Sequence, residues 1–294
     1  MTRALRVALV SFRSDIFAAL HAGCVQAGHE VPLYVISRSA RPGKSSYPTM
    51  GEKVADSLTV IGPEATVALP GDIDGLVTAV RGYDIDVVVV CGLSWRLTEP
   101  ALRAPRLGVI NIHTSLLPKY RGPMPLQWAI RSGDRSIGVT AHWMDERIDT
   151  GNILIQRGGI EVPEYVRFDE LWEDVAPTIR MLVSEALTMA ADGHPGVPQD
   201  EGIATYARMF RAEDSIIDRS WSVQDVHNLV RAFYFGVGIP GPFATIDGMQ
   251  VRILRTSTQP CKGIRFQLAD GPLWIEEAEM LTTAPDQDAA RRAS

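Results

Sequence analysis

Asp86 is followed by four consecutive valines, Val87 to Val90, and this run constrains the fold more than any other feature of the chain. A β-branched run with no polar alternation makes a strand covered on both faces, and such strands belong to parallel sheets flanked by helices. Comparable runs recur at residues 6–12, 31–36, 107–112 and 138–143. Between them lie stretches with helical apolar spacing. One covers 17–27 and stops before Gly28, one includes Leu76 and Val80, and one begins over 123–130. The alternation predicts an α/β fold with a Rossmann-like, mostly parallel open sheet and helices on both faces.

The texture changes near residues 191–206, where Gly193, Pro195, Gly196 and Pro198 mark a linker. Beyond it Val223, Val226, Leu229, Val230 and Phe233 share a helical stripe, followed by short β segments at 243–246, 250–254, 264–268 and 273–275. Asp247-Gly248 and Asp270-Gly271 are hairpin signals. This region predicts a smaller, closed or half-closed OB-like β-barrel domain. The expected division is 1–200, 201–283 and a tail over 284–294.

Composition narrows the setting. A net charge of −6 supplies no broad positive field for nucleic acid or membrane. Cys24, Cys91 and Cys261 are far apart and form no CxxC pair, so neither a disulfide framework nor a zinc set is expected. Arg3 and Arg6 flank only Val7 to Val10, too short for a signal-peptide core, and no later segment is a candidate membrane span. A cytoplasmic protein with no membrane partner is expected. Whether it acts alone or as a homodimer stays open.

Common catalytic signatures are missing: there is no GxGxxG after the first strand, no GxxxxGK[ST], no HExxH and no GxSxG. One block stands out, running from Asn111-Ile112-His113 through Thr114, Ser115, Leu116, Leu117 and Pro118 to Arg121-Gly122. It begins at the carboxyl end of an expected buried strand, where open α/β sheets place their crevice. Positions two apart on a strand share a face, so Asn111 and His113 project together. Pro118 cannot continue the strand, and the block becomes a shaped loop. Asp149-Thr150-Gly151 follows the next strand and is within reach of the same crevice. Together the three residue types form a set for acyl transfer. An amide and an imidazole stabilise a developing oxyanion, and a carboxylate holds the imidazolium and manages the proton of an attacking amine. Read singly, each has a plainer explanation as a strand-end hydrogen-bonder or a turn. His142 reads as a strand-face residue, and His21, His29, His194 and His227 as structural or solvent-facing.

The stretch from Cys91 through Gln156 resembles the folate-dependent formyltransferases, whose pattern is Asn-x-His, then Ser-Leu-Leu-Pro, then Asp-x-Gly one strand later. The resemblance implies that Asn111 and His113 act on the formyl oxygen and that Asp149 orients and moves protons. It implies a 10-formyltetrahydrofolate donor, with the pterin held by Trp95, Arg96, Leu97, Met144, Asp145, Glu146 and Ile148, and it implies no metal. Thr114, Ser115 and Arg121 are candidates for contact with the acceptor. Ala204-Thr205-Tyr206, the segment 217–221, Leu229 to Phe233 and Pro240 to Phe243 are similar to the C-terminal module of the methionyl-tRNA and sugar enzymes. Two departures stand out: Arg219 and Ser220 interrupt the usual Ile-Asp-Trp, and Gly236 to Gly241 replaces the usual Pro-x-Pro-Gly.

The leading expectation is N-formylation of a small amine, either an amino sugar nucleotide or an amino-acid-type amine or hydroxylamine. Methionyl-tRNA formyltransferase is the first alternative. The modest basic content of 38–53 and the balanced charge after residue 205 weigh against a tRNA partner. Formyltetrahydrofolate hydrolysis is the second alternative, and the presence of Asn111 favours transfer over it.

Overall fold

The computed structural model describes residues 3–36, 50–62, 64–93 and 95–280. The tail and residues 38–49 of the segment weighed against tRNA binding lie outside the described residues. The chain divides into two compact units. The first comprises Met1–Leu126, Ser136–Glu161 and Asp169–Arg208; the second comprises Gln127–Arg135, Val162–Phe168 and Met209–Ser294.

The first unit is built on seven strands: β1 (Arg6–Ser11), β2 (Glu30–Ile36), β3 (Thr66–Ala68), β4 (Val87–Val90), β5 (Gly108–His113), β6 (Ser136–Trp143) and β7 (Ile153–Glu161). Their order is β3-β2-β1-β4-β5-β6-β7. The first five run parallel, whereas β6 pairs antiparallel with both β5 and β7. The valine strand sits at the centre, between β1 and β5, and all four of its residues are buried.

Register separates two faces. Ala8 pairs with Leu33 and Val88, and Val88 pairs with Val109. These residues join Leu76 and Val80 of helix α3 (Ile73–Gly82) and Ala101 of helix α4 (Glu99–Leu102) in one buried cluster. Helix α3 starts where the Asp72 side chain accepts the Gly75 amide, a standard N-cap. On the opposite face the Tyr34 ring meets Phe17 of helix α1 (Ser14–Gln26) edge to face, with centroids 5.6 Å apart. A Cβ on Gly23 would lie 2.7 Å from Val183, so α1 packs directly on helix α6 (Phe168–Ala191). Helices therefore cover both faces. Helix α2 (Met50–Leu58) lies between β2 and β3 in the chain, and helix α5 (Pro125–Arg131) between β5 and β6.

In the second unit, helix α7 (Val223–Phe235) begins at Ser222, which caps the Asp225 amide, and packs on a four-stranded antiparallel sheet. The strands are β8 (Phe243–Ile246), β9 (Met249–Ser257), β10 (Ile264–Gln267) and β11 (Pro272–Met280), in the order β10-β11-β9-β8. Strands β10 and β8 stand at the two ends of this order, with β8 touched only by an isolated bridge from Ile216 to Phe243 among the described residues, so the expected barrel is an open, curled half. Asp247 and Gly248 turn the β8–β9 hairpin with φ of 49° and 79°, the left-handed pair that such a tight turn requires.

Candidate active site

Asn111 lies opposite Val90, the last residue of β4, and His113 ends β5 two residues later. By strand alternation both share the face of Val109, the one covered by α3 and α4. The chain then leaves the sheet in a loop whose polar groups are satisfied internally. Thr140 Oγ1 donates to the Ser115 carbonyl at 2.6 Å and accepts from the Leu117 amide and Gln156 Nε2 at 3.1 and 2.8 Å. Tyr120 and Gly122 take left-handed backbone, with φ of 59° and 112°, and a Cβ on Gly122 would meet the Ala207 carbonyl at 2.9 Å. Only glycine fits there.

Asp149 arrives from the β6–β7 connection with φ of 54°. A side chain on Gly151 would overlap the Trp143 carbonyl, so glycine is required two residues after the carboxylate. Asp149 Oδ2 accepts the Gly122 amide at 2.7 Å, and Oδ1 accepts Asn111 Nδ2 at 3.1 Å. His113 Nδ1 stands 3.6 Å from Oδ2, and His142 Nε2 stands 3.6 Å from Oδ1. The three sequence-predicted groups therefore meet around one carboxylate.

Burial opposes ionisation of Asp149, but the His113 and His142 imidazoles and the Gly122 amide outweigh it and hold the carboxyl at about 2. Burial pushes the His113 imidazole below its ordinary range, against the pull of Asp149. The resting pair at neutral pH is an ionised carboxylate beside a neutral ring. His113 Nε2 faces the Tyr120 carbonyl at 2.8 Å, and a carbonyl only accepts, so Nε2 carries the proton. The lone pair of His113 is on Nδ1, toward Asp149.

The expected pterin segments come together. Leu97 belongs to the cluster of Val88, Val90 and Val109, and Trp95 and Met144 pack against it. Arg96 Nε donates to the Glu146 carbonyl at 2.6 Å, tying the two segments. Asp145 uses its carboxylate within its own turn, accepting from the Arg147 amide and Thr150 Oγ1. Ile148 is exposed. A cleft of about 500 Å³ is lined by Trp143, Met144, Asp145, Gly151, Asn152 and His194, among others, but by none of the three catalytic candidates. Trp143 alternates with His142 along β6, which sets its side chain on the reverse face of the sheet.

The acceptor candidates are differently placed. Thr114 is half-buried. Ser115 is buried and donates to the Lys119 carbonyl at 2.6 Å. Arg121 is fully buried, with both terminal nitrogens 2.9 Å from Glu201 and Nε and one terminal nitrogen on Gln199 Oε1. The side chains of Ser115 and Arg121 are thus spent inside the fold, and in the structure they brace the loop instead of meeting an acceptor.

The segment read as a linker is a strap. Val197 pairs with Ile153 through two 2.8 Å hydrogen bonds, and Thr205 and Ala207 bond to Pro118 and Arg121. At its centre Gln199 receives Arg121 and donates from Nε2 to the carbonyls of Asp149 and Gly151 at 2.9 and 2.8 Å. One side chain joins the loop after His113 to the loop bearing Asp149. Gln199→Leu leaves the Asp149 and Gly151 carbonyls and part of Arg121 unsatisfied, an expected loss of roughly 2–4 kcal/mol. Thermal unfolding should show it as a lowered Tm, with a kcat decrease in the protein that stays folded.

Sequence reasoning puts His142 near the crevice but favours a plain strand-face residue. It is 1% exposed, pairs with Asn111 across β5–β6, and sits 3.1 Å from the Asn111 amide nitrogen. Its alternation with Thr140 puts it on the crevice face. The signal that identifies it is the strand register, which its own neighbours in sequence do not reveal.

This geometry agrees with what the chain resembles among known proteins. The profile described as "Formyl transferase" matches residues 5–167, more than half of the chain. The chain belongs to the formyl transferase family. It is 37% identical over 183 residues to a methionyl-tRNA formyltransferase of Synechococcus sp. (strain JA-3-3Ab), covering 62% of this chain and 55% of that relative. It is 33% identical over 236 residues to the corresponding protein of Lachnospira eligens, covering 78% and 71%. The alignments with the first relatives thus span about half of those proteins. Among solved structures, the fold resembles WlaRD, a sugar 3N-formyl transferase crystallised with dTDP and 5-N-formyl-THF. The TM-score is 0.60 at 15% identity, over 96% of this chain and all of that one. In this formyl transferase family member, Asn111 and His113 occupy the carboxyl end of the central parallel strand β5, and Asp149 reaches them from the β6–β7 connection.

Proposed function

We propose that the protein transfers a formyl group from 10-formyltetrahydrofolate to the amine of a small molecule, an amino sugar nucleotide or an amino-acid-type amine or hydroxylamine. The observation that carries this reading is the convergence of Asn111 and His113 on an ionised, buried Asp149. In this reading residues 1–200 do the chemistry and 201–283 form an accessory module. The apolar wall of Trp95, Leu97 and Met144, with the backbone of 144–148, suits one edge and one face of a pterin.

The amine attacks the formyl carbon, a C–N bond forms, and the carbonyl oxygen takes the displaced electron pair. His113 Nδ1, the free lone pair of a neutral ring, takes the amine proton. Asp149, 3.6 Å away, stabilises the resulting imidazolium. The new Nδ1–H then serves the oxyanion until the tetrahedral centre collapses: the C–N bond to folate breaks, the folate nitrogen takes that proton from Nδ1, and the ring is neutral again.

A second reading has its own support: the curated relatives cited above are methionyl-tRNA formyltransferases. The two readings separate in one assay. With formyl-folate as donor, amino sugar nucleotides, ornithine-type amines and charged initiator tRNA compete for the enzyme across a salt series. A small-molecule acceptor predicts turnover nearly flat from 50 to 200 mM salt, whereas phosphate contacts with tRNA predict a fall of about 10³-fold or more. Formyl-folate consumption that ignores every amine and tRNA would instead mark a hydrolase and end both readings.

A further inference from the structure

We propose that His142 is a positioning residue that turns the Asn111 amide so that its oxygen, not its nitrogen, faces the substrate. The hydrogen-bond roles follow from two fixed acceptors. His142 Nδ1 lies 2.8 Å from the Trp143 carbonyl, so Nδ1 carries a proton and Nε2 is the ring atom placed to accept from the Asn111 amide. Nε2 lies 3.1 Å from Asn111 Nδ2, which also lies 3.1 Å from Asp149 Oδ1. An amide nitrogen has two hydrogens, and here two acceptors receive them.

The reverse orientation is unfavourable. It would set Asn111 Oδ1 against a lone pair and a carboxylate at once, in surroundings where His142 is 1% and Asn111 9% exposed. Asp149 alone would favour the observed orientation; His142 makes it the only satisfied one. Among the described residues Asn111 Oδ1 has no hydrogen-bond partner, so it is the atom left for a ligand. An amide oxygen accepts, and the N–H of an attacking amine is the donor that the reaction brings. Asn111 thus moves from the formyl oxygen, where resemblance puts it, to the amine, which it orients with the nitrogen lone pair toward the formyl carbon. The groups facing His142 that carry or gain charge are Asp149 and His113.

The kinetic arm of the test rests on the formyl-transfer reading. In His142→Leu the acceptor for the amide is gone. The KM for the amine should rise about tenfold or more and kcat should fall, with the KM for formyl-folate within about twofold of wild type. His142→Gln offers a side-chain carbonyl to the same amide and should restore most of both. An unchanged amine KM in His142→Leu, or equal loss in both variants at equal Tm, would overturn the proposal. The second arm needs neither substrate. In ¹⁵N NMR of the wild-type chain, His142 should show the Nδ1–H tautomer, with a hydrogen-bond coupling between Nε2 and the Asn111 side-chain NH₂. A ring carrying its proton at Nε2, or the absence of any coupling to the Asn111 NH₂, would overturn it even if transfer is found. Failure of transfer with these signals intact would count against the functional reading alone.

Discussion

Asp149→Asn is expected to lower kcat by about 10³-fold, roughly 4 kcal/mol of transition-state stabilisation, in a protein that still folds. The substitution keeps shape and removes charge. The carboxylate accepts from the Gly122 amide at 2.7 Å and from Asn111 at 3.1 Å, so both oxygens act only as acceptors. An asparagine has one acceptor oxygen, and its NH₂ must turn toward one of these donors. If it turns to Gly122, the loop after His113 loses its tether; if it turns to Asn111, the amide loses its orientation. Either way the His113 ring loses the negative charge that makes its protonation affordable in a buried site. Single-turnover rates with saturating formyl-folate, beside circular dichroism and Tm, would measure it. A well-folded variant with more than about a tenth of wild-type kcat would remove Asp149 from the mechanism.

His113→Ala is expected to cost about as much, through the proton instead of the field. Without the Nδ1 lone pair the site loses the base that stands beside Asp149 and takes the amine proton. General-base loss alone is worth about 10²–10⁴-fold. The pH profile carries the same information. Burial depresses the His113 imidazole, so the base stays unprotonated down through its ordinary range near 6.5. Activity should therefore hold to about that pH and fall below it, as the ring protonates. Asp149 stays ionised throughout that limb. An acid limb lying above 6.5, or one that survives in His113→Ala, would contradict this assignment.

Much of the architecture was legible because burial leaves a pattern in the sequence. The pattern gives strand 243–246 its observed bounds, the valine strand from Asp86 to Val90 with one residue more than the observed Val87–Val90, and helix 223–235 its stripe. Other elements left weaker marks. Strand β7 mixes buried and exposed positions and carries Gly158 and Gly159, so it shows neither alternation nor an apolar run. Helix α6 has a clear buried stripe from Leu171 to Ala190 but contains Pro177, which breaks the pattern where a sequence reader looks for continuity. The second unit takes in 127–135 and 162–168 from the middle of the chain, a recruitment that no change in composition announces.

By itself the sequence determined which residue types stand at the carboxyl ends of the central strands, because strand alternation and a Pro-bearing loop are local properties. Asn111 and His113 stand out on that ground, and Asp149 as a polar turn after the next strand, together with family resemblance. Tertiary structure alone decided three matters. It set His142 beside Asn111 through antiparallel register, turned Arg121 inward, and made residues 197–207 a strap centred on Gln199. Each depends on hydrogen-bond partners between 31 and 87 residues apart in the chain. A charged or polar side chain carries no local mark of whether such a partner awaits it, since its role is set by the acceptors and donors that folding brings near.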